Sequence, residues 1–315
     1  MEEVLTYQQI SRYDPTRTTT LRALWARDMK RRFAELARVI YEAVVTQNCF
    51  GLKRPDVKTH QVVPPGQEAF AFLRDPQKVE AFMRWLKLQE ERGLLSTSQY
   101  QQIGSAINGA WTNKYVADSY KRGIMRARQE LQKAGVPSLD STGGIDASFG
   151  TPFHMDRVGL LYTRVFTELT GVTTAMDTTI SQILAQAMID GDGPVVIARK
   201  LMSAVNGGTL GDLAMIDKLG RYIPAKQRAL MIARTETIRA FHLAAIQEYR
   251  NWGVLGIYVQ AEWMTAGDDK VCSVCAGHEG KLYSLDEAEG MIPVHPNCRC
   301  VCLPYLEELK KYYNK

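Results

Sequence analysis

The sequence predicts a mainly α-helical protein with a small β lobe near its C-terminal end, an α+β arrangement. Three observations carry this. Apolar residues recur at steps of three and four through most of the first 250 residues, the period of helices with one buried face. After Gly253 the period becomes two, with Leu255, Ile257, Val259, Ala261 and Trp263 alternating with mostly polar or small neighbours, as in a strand. Five of the six cysteines fall between positions 272 and 302.

The first helix is expected from Thr18 to about Val45. Trp25, Met29, Phe33, Leu36, Ile40 and Val44 form its buried stripe, and Asp14-Pro15-Thr16 is its entry turn. Pro64-Pro65-Gly66 breaks the chain. Asp75-Pro76 opens a second helix with Val79, Phe82, Met83 and Leu86 inward, ending near Gly93. A third runs from about Ala106 to Lys133. Its Trp111, Tyr115, Val116, Tyr120 and Ile124 have the spacing of a packed face and are read as core. Gly135-Val136-Pro137-Ser138, Ser141-Thr142-Gly143-Gly144 and Gly150-Thr151-Pro152 mark 135–155 as a linker or exposed loop.

Val158, Leu161, Val165 and Leu169 then predict a helix stopped by Gly171, and Met176, Ile180, Ile183, Leu184 and Ala187 another. Gly191-Asp192-Gly193 lacks the full phosphate-binding glycine pattern and reads as a helix–helix turn. A short helix from Pro194 stops near Gly207-Gly208. The last long helix spans about Pro224 to Trp252, with Leu230, Ile238, Phe241 and Ala245 inward. Arg234 interrupts that stripe. A buried arginine needs a partner, so Glu262, Asp268 or a carbonyl of the C-terminal lobe is expected to meet it. Glu236, two residues on, faces elsewhere. Arg299–Leu303, closed by Pro304, is a second strand.

Composition is that of an ordinary globular protein, and no apolar run is long enough to span a membrane. Met1-Glu2-Glu3-Val4 shows no basic segment leading into an apolar one, so no secretory signal is expected. Charge is unevenly placed. Residues 11–40 hold eight basic groups (Arg12, Arg17, Arg22, Arg27, Lys30, Arg31, Arg32, Arg38) against three acidic ones, an excess equal to the whole chain's +5. Such a segment could meet nucleic acid or an acidic protein surface; a solvated helix face is the plainer reading.

Chemistry concentrates in the last 45 residues, as Cys272-x-x-Cys275 and His295-Pro-Asn-Cys298-Arg-Cys300. A C-x-x-C pair grips an ion from one turn, and H-x-x-C supplies a second pair, close to the two knuckles of a zinc ribbon. Disulfides would need an oxidising compartment, so one structural zinc per chain is the favoured reading, ahead of inert thiols. Cys272, Cys275, His295 and Cys298 have the cleanest spacing, with Cys300 in reserve. Cys298, Cys300 and Cys302 would share one face of a strand, so two of them could be packing.

Residues 230–304 resemble the Mu F-like head morphogenesis proteins, the minor head proteins of tailed bacteriophages. The resemblance rests on Ala233-Arg234-Thr235-Glu236, Trp263-x-Thr265-Ala266-x-Asp268, Asp269-x-x-Cys272-x-x-Cys275, Gly280, Pro293 and above all His295-Pro-Asn-Cys-Arg-Cys300. It extends more loosely over the helices from 156. Asp14-Pro15-Thr16-Arg17-Thr18 and its basic helix also look like the start of such proteins. The resemblance implies this organisation: a helical region over 1–134, the linker, a Mu F-like domain over 156–305 with a zinc lobe at 255–304, and a tail at 306–315. It implies structural roles for Arg234, Glu236, Trp263, Asp268 and Arg299. It also implies a virion protein at the portal vertex, partnered by the portal protein and other head proteins, acting in head assembly, with DNA delivery a further role open to it and host cytoplasm the place of assembly.

An alternative is a zinc-containing module that binds double-stranded DNA, for which Arg22, Arg27, Lys30, Arg31, Arg32 and Arg38 are the candidate contacts. A second is a metal-dependent hydrolase using Glu262, Asp268, Asp269 and His278. The sequence carries no H-E-x-x-H, G-x-S-x-G or phosphate-loop motif, and surplus ligands favour a closed metal site, so no enzyme is expected.

Overall fold

The computed structural model describes residues 14–52, 75–95, 109–136, 144–206, 223, 225–253 and 256–306. Arg12, the Pro64-Pro65-Gly66 break, Pro137 to Gly143, the Gly207-Gly208 stop, Leu255 and the tail from 307 lie outside the described residues. The described elements are mostly helices: α1 (Thr19–Tyr41), α2 (Asp75–Glu90), α3 (Asn113–Lys133), α4 (Gly144–Phe149), α5 (Pro152–Ile189), α6 (Pro194–Asn206) and α7 (Ala225–Gly253). The lobe that follows holds β1 (Gln260–Met264), α8 (Ser273–Ala276), β2 (Leu282–Tyr283), α9 (Leu285–Glu289) and β3 (Val301–Tyr305).

The chain divides into two compact units, each built from separated segments. One comprises 27–111 and 166–230, the other 1–26, 112–165 and 231–315. In the first, the stripe of α1 is buried as its spacing predicts, from Met29 to Val44. Burying five such side chains is worth on the order of 10 kcal/mol before entropy is counted. Both α1 and α2 end in one widened π-helical turn, Glu42–Thr46 and Glu91–Leu95. Arg32 lies 4.1 Å from the Trp111 ring centroid and donates to the Gly93 carbonyl, while Trp111 Nε1 donates to the Leu94 carbonyl at 2.7 Å. Gly191-Asp192-Gly193 is the turn between α5 and α6, with Gly191 at φ +70.

Three helix boundaries differ from the periodic reading, the first being the start of α3, which begins at Asn113 rather than near Ala106 and leaves Trp111 in the turn before it. Gly171 does not end a helix, because α5 is continuous over 38 residues. Val165, Leu169, Val172, Met176 and Ile180 keep one buried stripe across the glycine. A helical glycine costs about 1 kcal/mol relative to alanine, less than an unbroken stripe returns. Within the gap read as a loop, Gly144–Phe149 and the first turn of α5 are helical.

In the second unit α3 and α7 cross at very close range. A Cβ on Gly123 would stand 2.3 Å from the Phe241 carbonyl oxygen, and Ser119 Oγ donates to the Thr237 carbonyl at 2.5 Å. Ser119, Gly123 and Ala127 form a stripe of small residues at four-residue spacing that admits the α7 backbone. Tyr115, Tyr120 and Ile124 are buried as expected; Trp111 is half-buried.

The sheet has strand order β2-β1-β3, both pairs antiparallel, with Trp263 opposite Cys302 and Ala261 opposite Pro304. Ala261 and Trp263 point inward, following the alternation in the sequence. Pro304 does not close β3 but sits inside it. As an edge strand, β3 leaves part of its N–H row unpaired, so a missing donor is tolerated. One core runs from Ala127 and Leu131 of α3 and Ile238, Ile246, Tyr249 and Trp252 of α7 through Trp263 to Cys275, Cys298, Cys300 and Cys302.

Candidate metal centre

Two turns bring the donors together. Leaving β1, the Thr265 N–H donates to Glu279 Oε2 at 2.7 Å, and Gly267 takes a positive φ. Asp268 Oδ1 accepts the Lys270 N–H, and Cys272 then caps α8, its sulfur accepting the Cys275 N–H at 3.4 Å. The second turn, His295-Pro-Asn-Cys298, closes with Cys298 N donating to the His295 carbonyl at 3.1 Å. Asn297 occupies the left-handed region at φ 62, one of the few non-glycine residues that do so readily. Its N–H donates to Thr235 Oγ1 on α7 at 3.1 Å. The Arg299 guanidinium bridges the turns, forking onto both Asp268 oxygens at 2.6 Å. Those bonds hold the Asp268 carboxyl down at about 2.

His295 Nε2 lies 3.3 Å from Cys272 Sγ and 3.2 Å from Cys275 Sγ. Across a tetrahedral edge, a sulfur and a nitrogen at zinc bonding lengths stand roughly 3.6 Å apart, so this spacing suits a shared ion. His295 Nδ1 is 2.8 Å from the Pro296 carbonyl. A proton on Nδ1 satisfies that carbonyl and leaves the Nε2 lone pair facing the sulfurs, the tautomer a metal needs. Cys272, Cys275 and His295 form one group of donors within 4.8 Å of one another, and Cys275, Cys298 and Cys300 a second. The five donors named from spacing thus meet in two triads sharing Cys275.

Their acidities differ. Cys272 is lowered, chiefly by the Cys275 N–H on its sulfur, and Cys298 falls to about 5, chiefly through the hydrogen bond from Cys300. Burial pushes Cys275 up to about 12, and Cys300 is raised by its bond to Cys298. On His295, burial opposes the charged form, but the Pro296 carbonyl and the Cys298 and Cys272 sulfurs outweigh it. None of the six cysteines is disulfide-bonded. Cys49 and Cys302 belong to neither triad, and burial pushes both thiols up to about 12; Cys302 packs in the same core as Cys275, Cys298 and Cys300.

The remaining residues singled out in the sequence fall in distinct places. Trp263 is fully buried, its ring 4.7 Å from that of His278, which pairs through Nδ1 with the Tyr283 hydroxyl at 2.6 Å. Asp268 and His278, named for a hydrolytic site, are therefore each engaged elsewhere. Arg234 corrects an expectation: it is exposed, and Asp268 is taken by Arg299. Almost the whole circumference of α7 is buried, so the apparent break in its stripe is a narrow outward strip. Glu236 is the buried member of that string, held by Arg164 Nε at 3.3 Å and Arg239 Nε at 3.2 Å.

Among the basic residues, Arg22 turns onto Asp14, whose oxygens also bind Thr16 and Thr19. The charge of Asp14 reaches Arg299, placing this entry turn near the second knuckle. Arg31 pairs with Asp28 and Arg38 with Glu35 and Glu42, while Arg27 and Lys30 are exposed.

Five residues that fix the lobe were not singled out. His242, fully buried, donates from Nε2 to the Ala288 carbonyl at 2.8 Å. Arg250 grips Asp286 at 2.7 Å and Glu289 at 2.8 Å, and Arg157 reaches the same Glu289. Nothing in local spacing signals contacts between residues 36 to 132 positions apart.

Thr235 seats the H-P-N-C turn, Glu236 is anchored beside it, and Arg299 and Asp268 tie the knuckles, so the strings behind the resemblance form one connected structure. Residues 178–303 match the family Phage Mu protein F like protein. This Mu F-like segment contains all five metal donors and both strings at 233–236 and 263–268. No curated protein and no solved structure matches the chain.

Proposed function

We propose that this chain is a bacteriophage head morphogenesis protein, a minor structural component of the head whose C-terminal lobe is held by one zinc ion. The observation that carries this is the coincidence of the Mu F-like match with the connected Cys/His knuckles. Zinc there would contribute folding free energy, as it does in other small metal-bound lobes. Among the described residues no helix is long and apolar enough to cross a membrane.

Docking at the portal vertex, beside the portal protein and other head proteins, is part of the same reading. Arg27 and Lys30 leave α1 a partly basic outer face for such a partner. Binding to packaged DNA draws less support, because Arg22, Arg31, Arg32 and Arg38 are engaged within the chain and fewer charges are free to displace counterions.

The composition of purified virions and procapsids by mass spectrometry tests the role. The protein is expected in both at low copy, and its gene deletion should spare capsid synthesis while lowering infectious particles. A protein needed for growth yet absent from both particles would overturn the structural reading.

A further inference from the structure

Five donors converge where a closed tetrahedral zinc takes four, and four of the five are cysteines. An even number of thiols is what complete oxidation to disulfides requires. The geometry selects one way of pairing them. Among the described residues, Cys272 shares a group of mutually close donors with one other sulfur, that of Cys275. Cys298 and Cys300 share theirs with Cys275, all within 4.8 Å of one another. Joining Cys275 to Cys298 or Cys300 would strand Cys272 without a sulfur in reach. Joining Cys272 to Cys275 leaves Cys298 beside Cys300, so both bonds close between neighbours. Each pair also lies on one short stretch, the C-x-x-C turn of α8 and the C-x-C entry to β3, so neither bond has to draw distant segments together. Exposure sets the order of attack. Cys272 is half-buried, whereas Cys298 and Cys300 are only 1% and 3% exposed. Oxidants reach the accessible thiolate first.

We propose, resting on the zinc reading above, that these four cysteines are a site of reversible oxidation, where a peroxide forms the disulfides Cys272–Cys275 and Cys298–Cys300 and expels the ion. At each pair one thiolate attacks the peroxide. An S–O bond forms, the O–O bond breaks and hydroxide leaves. The neighbouring sulfur then attacks the sulfenic sulfur, so that an S–S bond forms as the S–O bond breaks and a second hydroxide leaves. Each pair gives up two electrons, and one peroxide becomes two hydroxides, or hydroxide and water where the second sulfur starts as a thiol. His295 alone cannot hold the ion, and it departs as Zn2+. Both new bonds lie within a turn. Oxidation therefore removes the metal tie between the two knuckles and leaves the Arg299–Asp268 fork to bridge them.

Titrating the zinc-loaded full-length protein with hydrogen peroxide tests this. The bound zinc should be released to a metal-binding dye as alkylatable thiols fall from six to two, those of Cys49 and Cys302. Mass spectrometry of a non-reduced tryptic digest maps the bonds. A cut after Arg299 puts Cys298 and Cys300 on separate peptides, so their bond appears as a joined pair; Cys272 and Cys275 stay within one peptide, lighter by two hydrogens. Cys272–Cys275 should appear first, and dithiothreitol with added zinc should restore thiols and metal together. A bond from Cys272 or Cys275 to Cys298 or Cys300 would overturn the pairing. Zinc that stays bound in excess peroxide, or cysteines that end as sulfinic acids, would overturn the oxidation site. Cys300→Ser should form one disulfide, Cys272–Cys275, in place of two; where that variant fails to fold, the wild-type map decides alone. Wild-type protein that takes up no zinc would overturn the metal reading and its release step, while its disulfide map still decides the pairing and the virion assay independently tests the role in the head.

Discussion

The helical unit of residues 27–111 and 166–230 and the lobe of residues 256–306 meet the same entropic demand in different ways. The helical unit relies on long repeating stripes. Met29, Phe33, Ile40, Phe82 and Leu86 are each fully buried, so the stabilisation is spread over many similar contacts. The lobe has five-residue strands, a two-residue strand and two one-turn helices, too little regular structure to repeat anything. It is fixed instead by contacts of high specificity: the five donors, the Arg299–Asp268 fork, His242 on Ala288, and Arg250 and Arg157 on Glu289. A stripe degrades gradually when damaged, whereas a knot of specific contacts fails at once.

The largest effect should therefore come from the knot. Cys272→Ser or metal chelation should unfold residues 256–306, because apparent zinc binding energies in small lobes are about 10 kcal/mol or more. The shared core makes the damage spread to α3 and α7, through Leu131, Ile246 and Tyr249. Limited proteolysis should show new cuts after about 253, followed by cuts in α3; an unchanged digest would break the comparison.

Next come two fully buried aromatics, one in each region. Trp263→Ala and Phe82→Ala should each cost about 3–5 kcal/mol by denaturant melts. They should differ in metal content. The Trp263 ring packs 4.7 Å from that of His278, in the segment just after the first knuckle, so only its loss should lower zinc stoichiometry. Equal zinc loss from both would erase the distinction.

The two regions should also answer acid in opposite directions. Burial pushes His242 down to about 4. Between an unfolded value near ~6.5 and that folded value only the unfolded chain takes the proton, so this contribution is full above ~6.5 and is lost as pH falls. His242→Gln should remove on the order of 2 kcal/mol of that acid sensitivity, read as the difference between melts at pH 7 and pH 5 with metal content monitored. In the helical unit, burial raises Glu90 to about 10, and its carboxyl hydrogen-bonds to that of Asp177, also raised. Here the folded state holds the proton, so stability declines as pH rises above the unfolded carboxyl value. Glu90→Gln should stabilise the unit by about 1 kcal/mol at pH 8 and by less at pH 5. A wild-type helical unit that weakens with acid as the lobe does would count against both assignments.

The last comparison concerns close packing at two helical glycines. Gly123→Ala should cost about 1–3 kcal/mol, since the added carbon meets a backbone carbonyl that cannot swing aside. Gly171→Ala, with nothing within 4 Å, should instead stabilise by up to about 1 kcal/mol.

What could be read in advance follows from these physics. The stripes of α1 and α5 and the C-x-x-C and H-x-x-C spacings are local regularities, and each maps onto an observed element or cluster. Gly171 misled because a helix breaker was weighed alone, without the stripe on either side. Arg234 misled because α7, rich in alanine, buries nearly all its faces and leaves no clear polar side to phase against. β2 has two residues and exists only because β1 pairs with it, so no periodicity could announce it. Glu236, His242 and Glu289 depend on partners distant in sequence, and their roles emerge only when the chain is folded.

Both units are assembled from segments far apart in the chain, and this affects how the protein is made. The stripe of α1, finished by residue 44, finds its unit completed only by chain beyond 166, and α3 waits for the knuckle at 295–300. At roughly 5–20 residues per second, these apolar faces stay uncovered on the ribosome for about 6–30 s. Neither unit can finish before its distant segments emerge, so the nascent chain is a long-lived client for whatever shields exposed helices in the cell. The donors at 295–300 are among the last residues made, so any metal that the cluster takes would join near the end of that sequence.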